Sequence, residues 1–171
     1  MMMRKYVYML VISLGLVAVV GFTTKQLACK KCTKSSIEAG LQQEQIGSDK
    51  IIGLGLLQVL TADTLTSDLH VANIQLEEGS YLHWQTMPGG RVIIVTEGEG
   101  FYQSKGKDVV RIKKGDTIET FPGLYHWVGA TPESGLEFIS VTSKKSDALI
   151  KWHETVTEKE YRAAIDLAEA S

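Results

Sequence analysis

The sequence predicts an all-β domain, either a sandwich or a small barrel, with one short helix at its C-terminal end. Between residues 51 and 143, short runs rich in Val, Ile, Thr and aromatic residues alternate with turn signals, a pattern typical of these folds. The 171 residues are enough for one sizeable core. Apolar residues make up 44% of the chain and charged residues 22%, which argues against extensive disorder and against a coiled coil.

The chain begins with a basic and apolar leader. Arg4 and Lys5 precede the uncharged run 6–22, and this order is typical of a secretory signal. The 17 residues of the run also approach the length of a membrane-spanning helix. We therefore expect residues 1–28 to be a signal peptide or membrane anchor, and the protein to be exported as a periplasmic, extracellular or membrane-anchored protein.

The only two cysteines, Cys29 and Cys32, follow this leader directly. Lipid attachment at Cys29, a local disulfide, a redox or metal-binding pair, and a pair without a chemical role all remain open. Residues 29–50 are polar and are predicted to be a linker, so the folded domain is expected to span residues 51–171.

The charges are distributed unevenly along the chain. Six of the 18 Lys and Arg residues precede residue 38, where no acidic residue occurs. Residues 38–171 therefore carry 12 basic and 20 acidic groups, a net charge of −8. A domain this acidic has no general basic surface for nucleic acid, so we expect no nucleic-acid partner.

Eight strands and one helix are predicted in the domain. The strands are expected at 69–76, 81–85, 91–96, 100–104, 109–112, 117–121, 125–129 and 136–142. Thr157 and Glu160 form a capping-box pattern, and the apolar residues that follow predict a short helix packed on the outside of the barrel. Tight turns with positive φ are expected at four glycines, Gly98, Gly100, Gly115 and Gly123.

Two segments carry a family resemblance. Residues 79–98 read GSYLHWQTMPGGRVIIVTEG, and residues 115–132 read GDTIETFPGLYHWVGATP. They resemble the two signature segments of the cupin family, and most closely those of small single-domain bacterial cupins that include manganese-dependent hydroxynitrile lyases. Residues 151–161 also resemble the terminal Trp-x-x-x-Val-Thr-x-x-x-Tyr of those proteins. The resemblance implies a cupin barrel, which is a double-stranded β-helix or jelly roll.

The metal-binding positions of the resemblance are changed in this chain. The family holds its metal with two His two residues apart on one strand, a Gln or Glu soon after, and a His in the second segment. Aligned on the Pro-Gly-Gly turn, the first two positions are Gln85 and Met87, and the third is Arg91. His126 is kept, but Val128 stands where the second segment has a further His. The resemblance therefore implies a degraded metal site.

Arg91 is the most informative of these changes. A guanidinium is protonated at all accessible pH values, offers only hydrogen-bond donors and repels a divalent ion, so it cannot ligate a metal. We expect Arg91 to take the place of the metal charge and to hold a carboxylate or another anion. The alternative is that Arg91 faces solvent or pairs with Glu97 or Glu99. His126 is the side chain best suited to act as a general base.

His83 leaves room for a shifted metal site. It lies two residues before Gln85 and four before Met87, so a regular strand would place all three on one face. Together with His126 they form a conceivable unorthodox site for Mn, Fe, Zn or Cu. The alternative is that His83 lines a cavity or ends a strand.

Other histidines and aromatic residues have simpler interpretations. Trp84, Trp127, Phe121 and Tyr125 either wall a cavity or pack in the core. His70 and His153 are predicted to be surface or packing residues.

Three functions are compatible with these residues. The first is an exported cupin barrel without a metal cofactor that binds a small organic molecule, an anion if Arg91 is the anchor. The second is a metal-free lyase or isomerase that uses His126 and Arg91 as catalytic residues. The third is a metalloenzyme similar to the hydroxynitrile lyases, with one divalent transition metal or Cu. Family analogy adds a possible homodimer, and the candidate ligand-binding residues are Gln85, Met87, Arg91, His126, His83 and Trp84.

Overall fold

The computed structural model describes residues 43–61, 68–144 and 149–169. The predicted signal or anchor segment 1–28, as well as Cys29 and Cys32, lies outside these described residues. The elements in chain order are β1 (Gln43–Gln45), β2 (Ile51–Ile52), β3 (Gly55–Val59), β4 (Leu69–Leu76), β5 (Tyr81–Leu82), β6 (Gln85–Thr86), β7 (Arg91–Ser104), β8 (Val110–Lys113), β9 (Thr117–Thr120), β10 (His126–Ala130), β11 (Leu136–Ser143), β12 (Lys151–Trp152) and α1 (Glu158–Glu169).

The strands form a curled antiparallel sheet, as predicted for an all-β barrel. The main path of hydrogen-bonded neighbours runs β1-β3-β4-β11-β7-β10-β5-β2, and β6, β8, β9 and β12 attach to it at the side. Strand β7 joins the two halves of the barrel. Its first part pairs with β11 and β9, and its second part pairs with β10 and β8.

The two strands predicted at 91–96 and 100–104 are one strand of 14 residues. The chain passes from one half of the barrel to the other at Gly98, next to a shift in the register with β11. Gly98 has a φ of 76°, as expected, whereas Gly100 is not among the glycines with positive φ. Gly100 lies within β7, where an added Cβ would approach the carbonyl oxygen of Gly129 to 2.3 Å. The prediction of a turn at Gly100 is therefore wrong.

Three other differences concern short strands. Residues 81–85, predicted as one strand, form β5 and β6, with His83 and Trp84 between them. Strand β1 lies within the segment 29–50 that was predicted to be a linker, and it pairs with β3. The barrel therefore begins before residue 51. Strand β12 pairs with β6, so the chain returns to the barrel just before the final helix.

The apolar residues form two clusters on opposite faces of the curled sheet. The inner cluster lies inside the barrel and includes Ile93, Val95, Val128 and Phe138. The outer cluster lies between the sheet and α1, and contains Tyr81, Trp84, Phe101, Trp127, Val156, Tyr161 and Ala164. Because side chains alternate along a strand, β10 contributes Val128 to the inner cluster and Trp127 to the outer one.

The C-terminal helix packs on the outside of the barrel, as the sequence predicts. Thr157 Oγ1 accepts a hydrogen bond from the Glu160 amide at 3.2 Å, and Glu160 Oε2 accepts one from the Thr157 amide at 2.8 Å. This reciprocal pair confirms the capping box. Tyr161 stacks on Tyr81 with 4.3 Å between the ring centroids, and its hydroxyl donates to the Ala130 carbonyl at 2.7 Å. In the described part of the chain, no helix is long and apolar enough to cross a bilayer.

Candidate functional site

The inner face of the barrel surrounds a cavity of about 220 Å³. Its wall combines apolar side chains with a few polar groups. The lining residues are Glu44, Gln45, Ile46, Gly47, Lys50, Leu57, His70, Ala72, Ile74, Leu82, Gln85, Met87, Arg91, Ser140, Thr142, Leu149, Ile150 and Trp152. Three of the candidate ligand-binding residues, Gln85, Met87 and Arg91, thus share one cavity. A mostly apolar cavity with a few polar groups is the usual form of a small-molecule site.

Arg91 is the first residue of β7 and is buried, with only 4% of its surface exposed. Its Nε donates to Ser140 Oγ at 2.8 Å, and its guanidinium carbon lies 5.2 Å from the centre of the Phe138 ring. Its Nη1 is buried without a hydrogen-bond partner. Burial lowers the pKa of Arg91 to about 10, so the side chain still carries its charge at neutral pH.

The charge of Arg91 has no paired carboxylate among the described residues. The sequence left open a pairing with Glu97 or Glu99, but these carboxylates pair with Lys114 and Arg111, each at 2.6 Å. Both of those ion pairs are on the exposed surface. Arg91 is therefore a buried cation held by one hydroxyl group and one aromatic ring.

Gln85 lies directly opposite His126 in the pairing of β6 with β10. Its side chain is buried and lines the cavity, and neither its amide nitrogen nor its amide oxygen has a hydrogen-bond partner. Met87 is also buried and lines the same cavity. The cavity wall therefore includes an amide that can still donate and accept hydrogen bonds.

His126 is fully buried on the inner face of β10, together with Val128. Its Nδ1 is 2.8 Å from the Leu124 carbonyl oxygen. Because a carbonyl can only accept, Nδ1 carries the proton and Nε2 has a free lone pair. Nε2 is buried without a partner. Burial, and secondly the charge of Arg91, lowers the pKa of His126 to about 4, so the ring is neutral at pH 7.

His83 and Trp84 differ from the arrangement that a regular strand would produce. They lie between β5 and β6, where the alternation is interrupted, and Leu82 rather than His83 lines the cavity with Gln85. His83 is buried, and its Nε2 has no hydrogen-bond partner. Trp84 belongs to the outer cluster, where the Lys105 ammonium lies 4.4 Å from its ring centre. Neither residue reaches the cavity wall.

The other aromatic candidates also lie away from the cavity. Trp127 is part of the outer cluster, Tyr125 packs against Trp84, and Phe121 is 70% exposed. The aromatic residue in the cavity wall is Trp152 of β12. His153 is exposed, as predicted, and its ring nitrogen lies 3.1 Å from Thr86 Oγ1.

His70, Ser140 and Thr142 line the cavity although the sequence did not identify them as site residues. His70 was predicted to be a surface or packing residue, and the structure places it, half-buried, in the cavity wall. Its position on β4 is on the same face as Ala72 and Ile74, and this alternation could have identified it. On β11, Thr142 lies directly opposite Arg91 in the register with β7, and Ser140 lies opposite Ile93. Isolated Ser and Thr residues carry no comparable sequence signal.

The donors around the cavity can be compared with those of a metal site. Among the described residues, no group of three or more His, Cys, Asp or Glu side chains is placed to hold a metal ion. The positions that the family motif assigns to ligands carry an amide, a thioether, a guanidinium and one imidazole. Of these four groups, the imidazole is the one strong ligand for a divalent transition metal, and the guanidinium has no lone pair to offer.

These features define an antiparallel β-barrel protein with its polar candidate residues inside the barrel. No protein-family model matches the chain. Its sequence is 34% identical over 91 residues to an (R)-mandelonitrile lyase from Granulicella tundricola, and this region covers 53% of the chain and 70% of that enzyme.

Solved structures show the same fold. A cupin-like protein from Thermotoga maritima is 36% identical, with a TM-score of 0.68 over 71% of this chain and 92% of that one. A protein from the same organism described as a predicted oxalate decarboxylase is 25% identical, with a TM-score of 0.55 over 61% and 94% of the two chains. The chain belongs to the cupin family, and the fold expected from its two motif segments is confirmed.

Proposed function

We propose that this protein binds a small organic anion inside its barrel, with Arg91 as the fixed positive charge and without a transition metal at the motif positions. The single observation that carries the proposal is the environment of Arg91. The guanidinium is buried beside a cavity, its Nη1 has no partner, and no carboxylate of the described residues pairs with it. A buried and unpaired charge is costly, and a bound anion removes that cost.

The chemistry of Arg91 suits a carboxylate. A guanidinium presents parallel N–H groups that match the two oxygens of a carboxylate, and such charge-assisted bonds are stronger than neutral ones. Ser140 accepts from Nε and so holds the guanidinium in the cavity wall, while Nη1 remains available. The relative described as a predicted oxalate decarboxylase is named for an organic acid, which agrees with this ligand class.

The residues present do not fit the divalent metal that the family resemblance implies. Arg91 offers no lone pair and repels a cation, and the amide of Gln85 is a weak ligand for a transition metal. Met87 favours soft ions such as Cu(I), and His126 is the one imidazole kept at the motif positions. A metal ion at these positions would have one good ligand and an adjacent positive charge.

The test is calorimetric titration of the full-length protein with 4-methylpentanoate and phenylacetate. We expect binding of at least one acid, and no binding of the corresponding neutral amide. Arg91→Met should abolish binding, whereas Arg111→Met, which removes an exposed arginine outside the cavity, should leave it unchanged. Equal affinity for acid and amide, or binding that survives Arg91→Met, would overturn the proposal.

A lyase is the second candidate, and the relative named (R)-mandelonitrile lyase favours it. In this function, the free Nε2 of His126 would take the hydroxyl proton of a hydroxynitrile. The carbon–carbon bond to the nitrile would then break, and cyanide would leave as HCN with that proton while the aldehyde forms. Arg91 would stabilise the negative charge of the departing cyanide.

The appearance of benzaldehyde from (R)-mandelonitrile measures this activity in protein freed of metal with a chelator. Turnover by the wild type that is lost in His126→Phe would support the lyase. If the wild type and the His126→Phe variant had equal rates, the lyase function would be rejected, whatever the result of the binding experiment.

We also propose that the barrel functions outside the cytoplasm. This proposal rests on the sequence of the leader, in which two basic residues precede an uncharged apolar run.

A further inference from the structure

We propose that the ligand is a hydroxycarboxylate with a short apolar body, whose carboxylate meets Arg91 and whose hydroxyl meets Gln85 and His126. This inference rests on the proposed function and adds a second recognition point to it. It comes from polar atoms inside the barrel that the anion alone would leave without partners.

Gln85 lines the cavity that Arg91 also lines, whereas His126 is not a lining residue and is placed next to Gln85 by the strand pairing. They are cross-strand partners on β6 and β10, so their side chains start from adjacent positions on the inner face. Gln85 contributes an unpaired amide nitrogen and an unpaired amide oxygen, and His126 contributes the unpaired Nε2. Both side chains are at least 99% buried, so water outside the barrel does not reach them.

The hydrogen-bond donors and acceptors among these atoms match a hydroxyl group of the ligand. One group, the amide nitrogen of Gln85, can donate, and two atoms, Gln85 Oε1 and His126 Nε2, can only accept. A hydroxyl both donates and accepts hydrogen bonds, so it can accept one from the amide nitrogen and donate one to either acceptor. A keto oxygen or an ether can satisfy only the donor. Leaving a buried acceptor unpaired is unfavourable, so the site should discriminate strongly between a hydroxyl and its absence.

The rest of the cavity limits the size, polarity and charge of the ligand. Leu57, Ile74, Leu82 and Trp152 present apolar surface, and about 220 Å³ is close to the volume of about seven water molecules. Such a space suits an organic acid of about ten non-hydrogen atoms. Lys50 and Glu44 also line the cavity, but their opposite charges cancel. Arg91 therefore supplies the net charge, and one carboxylate is sufficient to balance it.

The experiment compares matched acids on the full-length wild-type protein by calorimetry. The probes are 4-methylpentanoate, both enantiomers of its 2-hydroxy and 3-hydroxy derivatives, and the 2-oxo acid. We expect one hydroxy isomer to bind with a Kd at least tenfold lower than that of 4-methylpentanoate, and the 2-oxo acid to show no such gain. If no hydroxy isomer binds more tightly than the unsubstituted acid, the inference is wrong although the proposed function stands. If none of the acids binds, both fail.

A variant locates the hydroxyl site. Gln85→Met keeps a side chain of similar length but removes both amide atoms, so it should still bind 4-methylpentanoate and lose the preference for the hydroxy acid. Gln75→Met is the matched control, because Gln75 lies on β4 outside the cavity and bonds to Gln43. A preference that persists in Gln85→Met would overturn the assignment of the hydroxyl to Gln85. The ligand comparison on the wild type remains decisive if this variant fails to fold.

Discussion

Arg91 and Ser140 occupy adjacent strands, and the Ser140 hydroxyl accepts a hydrogen bond from Arg91 Nε at 2.8 Å. A buried cation with a neutral partner is a poor arrangement for stability and a good one for capturing an anion.

Removing the buried charge should make the ligand-free protein more stable. Arg91→Met replaces an unpaired cation by an apolar side chain of similar length, so we expect the free energy of unfolding to rise by about 1–2 kcal/mol. Urea denaturation without added anions measures it. Arg111→Met is the control, and removing its exposed ion pair with Glu99 should change stability by less than about 1 kcal/mol. A marked loss of stability in Arg91→Met would show that the charge is balanced by a group inside the protein.

Restoring the ligands of the family motif should create a metal site. The triple variant Gln85→His, Met87→His and Arg91→Gln places two imidazoles and an amide oxygen in the cavity wall, and position 85 lies opposite His126 in the strand pairing. Mn, Fe or Zn should then raise its melting temperature, because binding to the folded state stabilises it. The wild type should carry well under one equivalent of metal and respond little.

Elemental analysis after purification without chelators provides the comparison. Stoichiometric metal in the wild type that survives Arg91→Ala but is lost in His83→Ala would favour the shifted site instead.

The neutral state of His126 should make stability depend on pH. The pKa is about 4 in the folded protein and about 6.5 in the unfolded chain, so the unfolded chain binds an extra proton between these values. The free energy of unfolding should therefore fall as the pH is lowered from 6.5 to 4, and His126 should contribute roughly 3 kcal/mol to the fall. His126→Phe lacks this contribution. If wild type and variant lost stability in parallel over this range, His126 would not be buried in its neutral form.

Glycines at two turns should differ in their sensitivity to substitution. An added Cβ at Gly98 would lie 1.8 Å from the Gly135 carbonyl oxygen, and φ there is 76°. At Gly123, φ is 75° but no atom lies within 4 Å of an added Cβ. Gly123→Ala should cost about 1–2 kcal/mol from its backbone conformation alone, whereas Gly98→Ala should cost at least about 2 kcal/mol more. If the two variants lost the same free energy of unfolding in denaturant, the chain at Gly98 would be packed less tightly than the structure shows.

The leader should direct the protein out of the cytoplasm. Fractionation of the native host should recover it in the periplasm, the medium or the membrane fraction. Replacing Arg4 and Lys5 by Glu removes the basic start and should reduce export. Full-length protein in the soluble cytoplasmic fraction would contradict the proposal.

Much of the barrel could be predicted because its strands alternate and are separated by glycine and proline turns. Strand β4, for example, has the bounds that the sequence predicts. The short strands β1, β2 and β12 have two or three residues, too few for a pattern, and are held by pairing with β3, β5 and β6. Such elements depend on tertiary context.

The site was predictable where a family motif marks it and not where the backbone departs from regularity. Gln85, Met87 and Arg91 were identified by their positions in the motif, and all three line the cavity. The place of His83 depends on the interruption between β5 and β6, which no alternation pattern reveals. Ser140 contacts Arg91 through a side-chain hydrogen bond between residues 49 positions apart. A single sequence gives no sign of that contact.

The cavity wall is completed late in the chain. Leu149, Ile150 and Trp152 line the cavity, and β12 reaches its place by pairing with β6. A nascent chain still short of residue 152 has the cation and the amide but not this wall, so it cannot hold an apolar ligand away from water. Under the proposed function, a chain truncated before residue 149 should therefore lose its affinity for an apolar anion although it keeps Arg91 and Gln85.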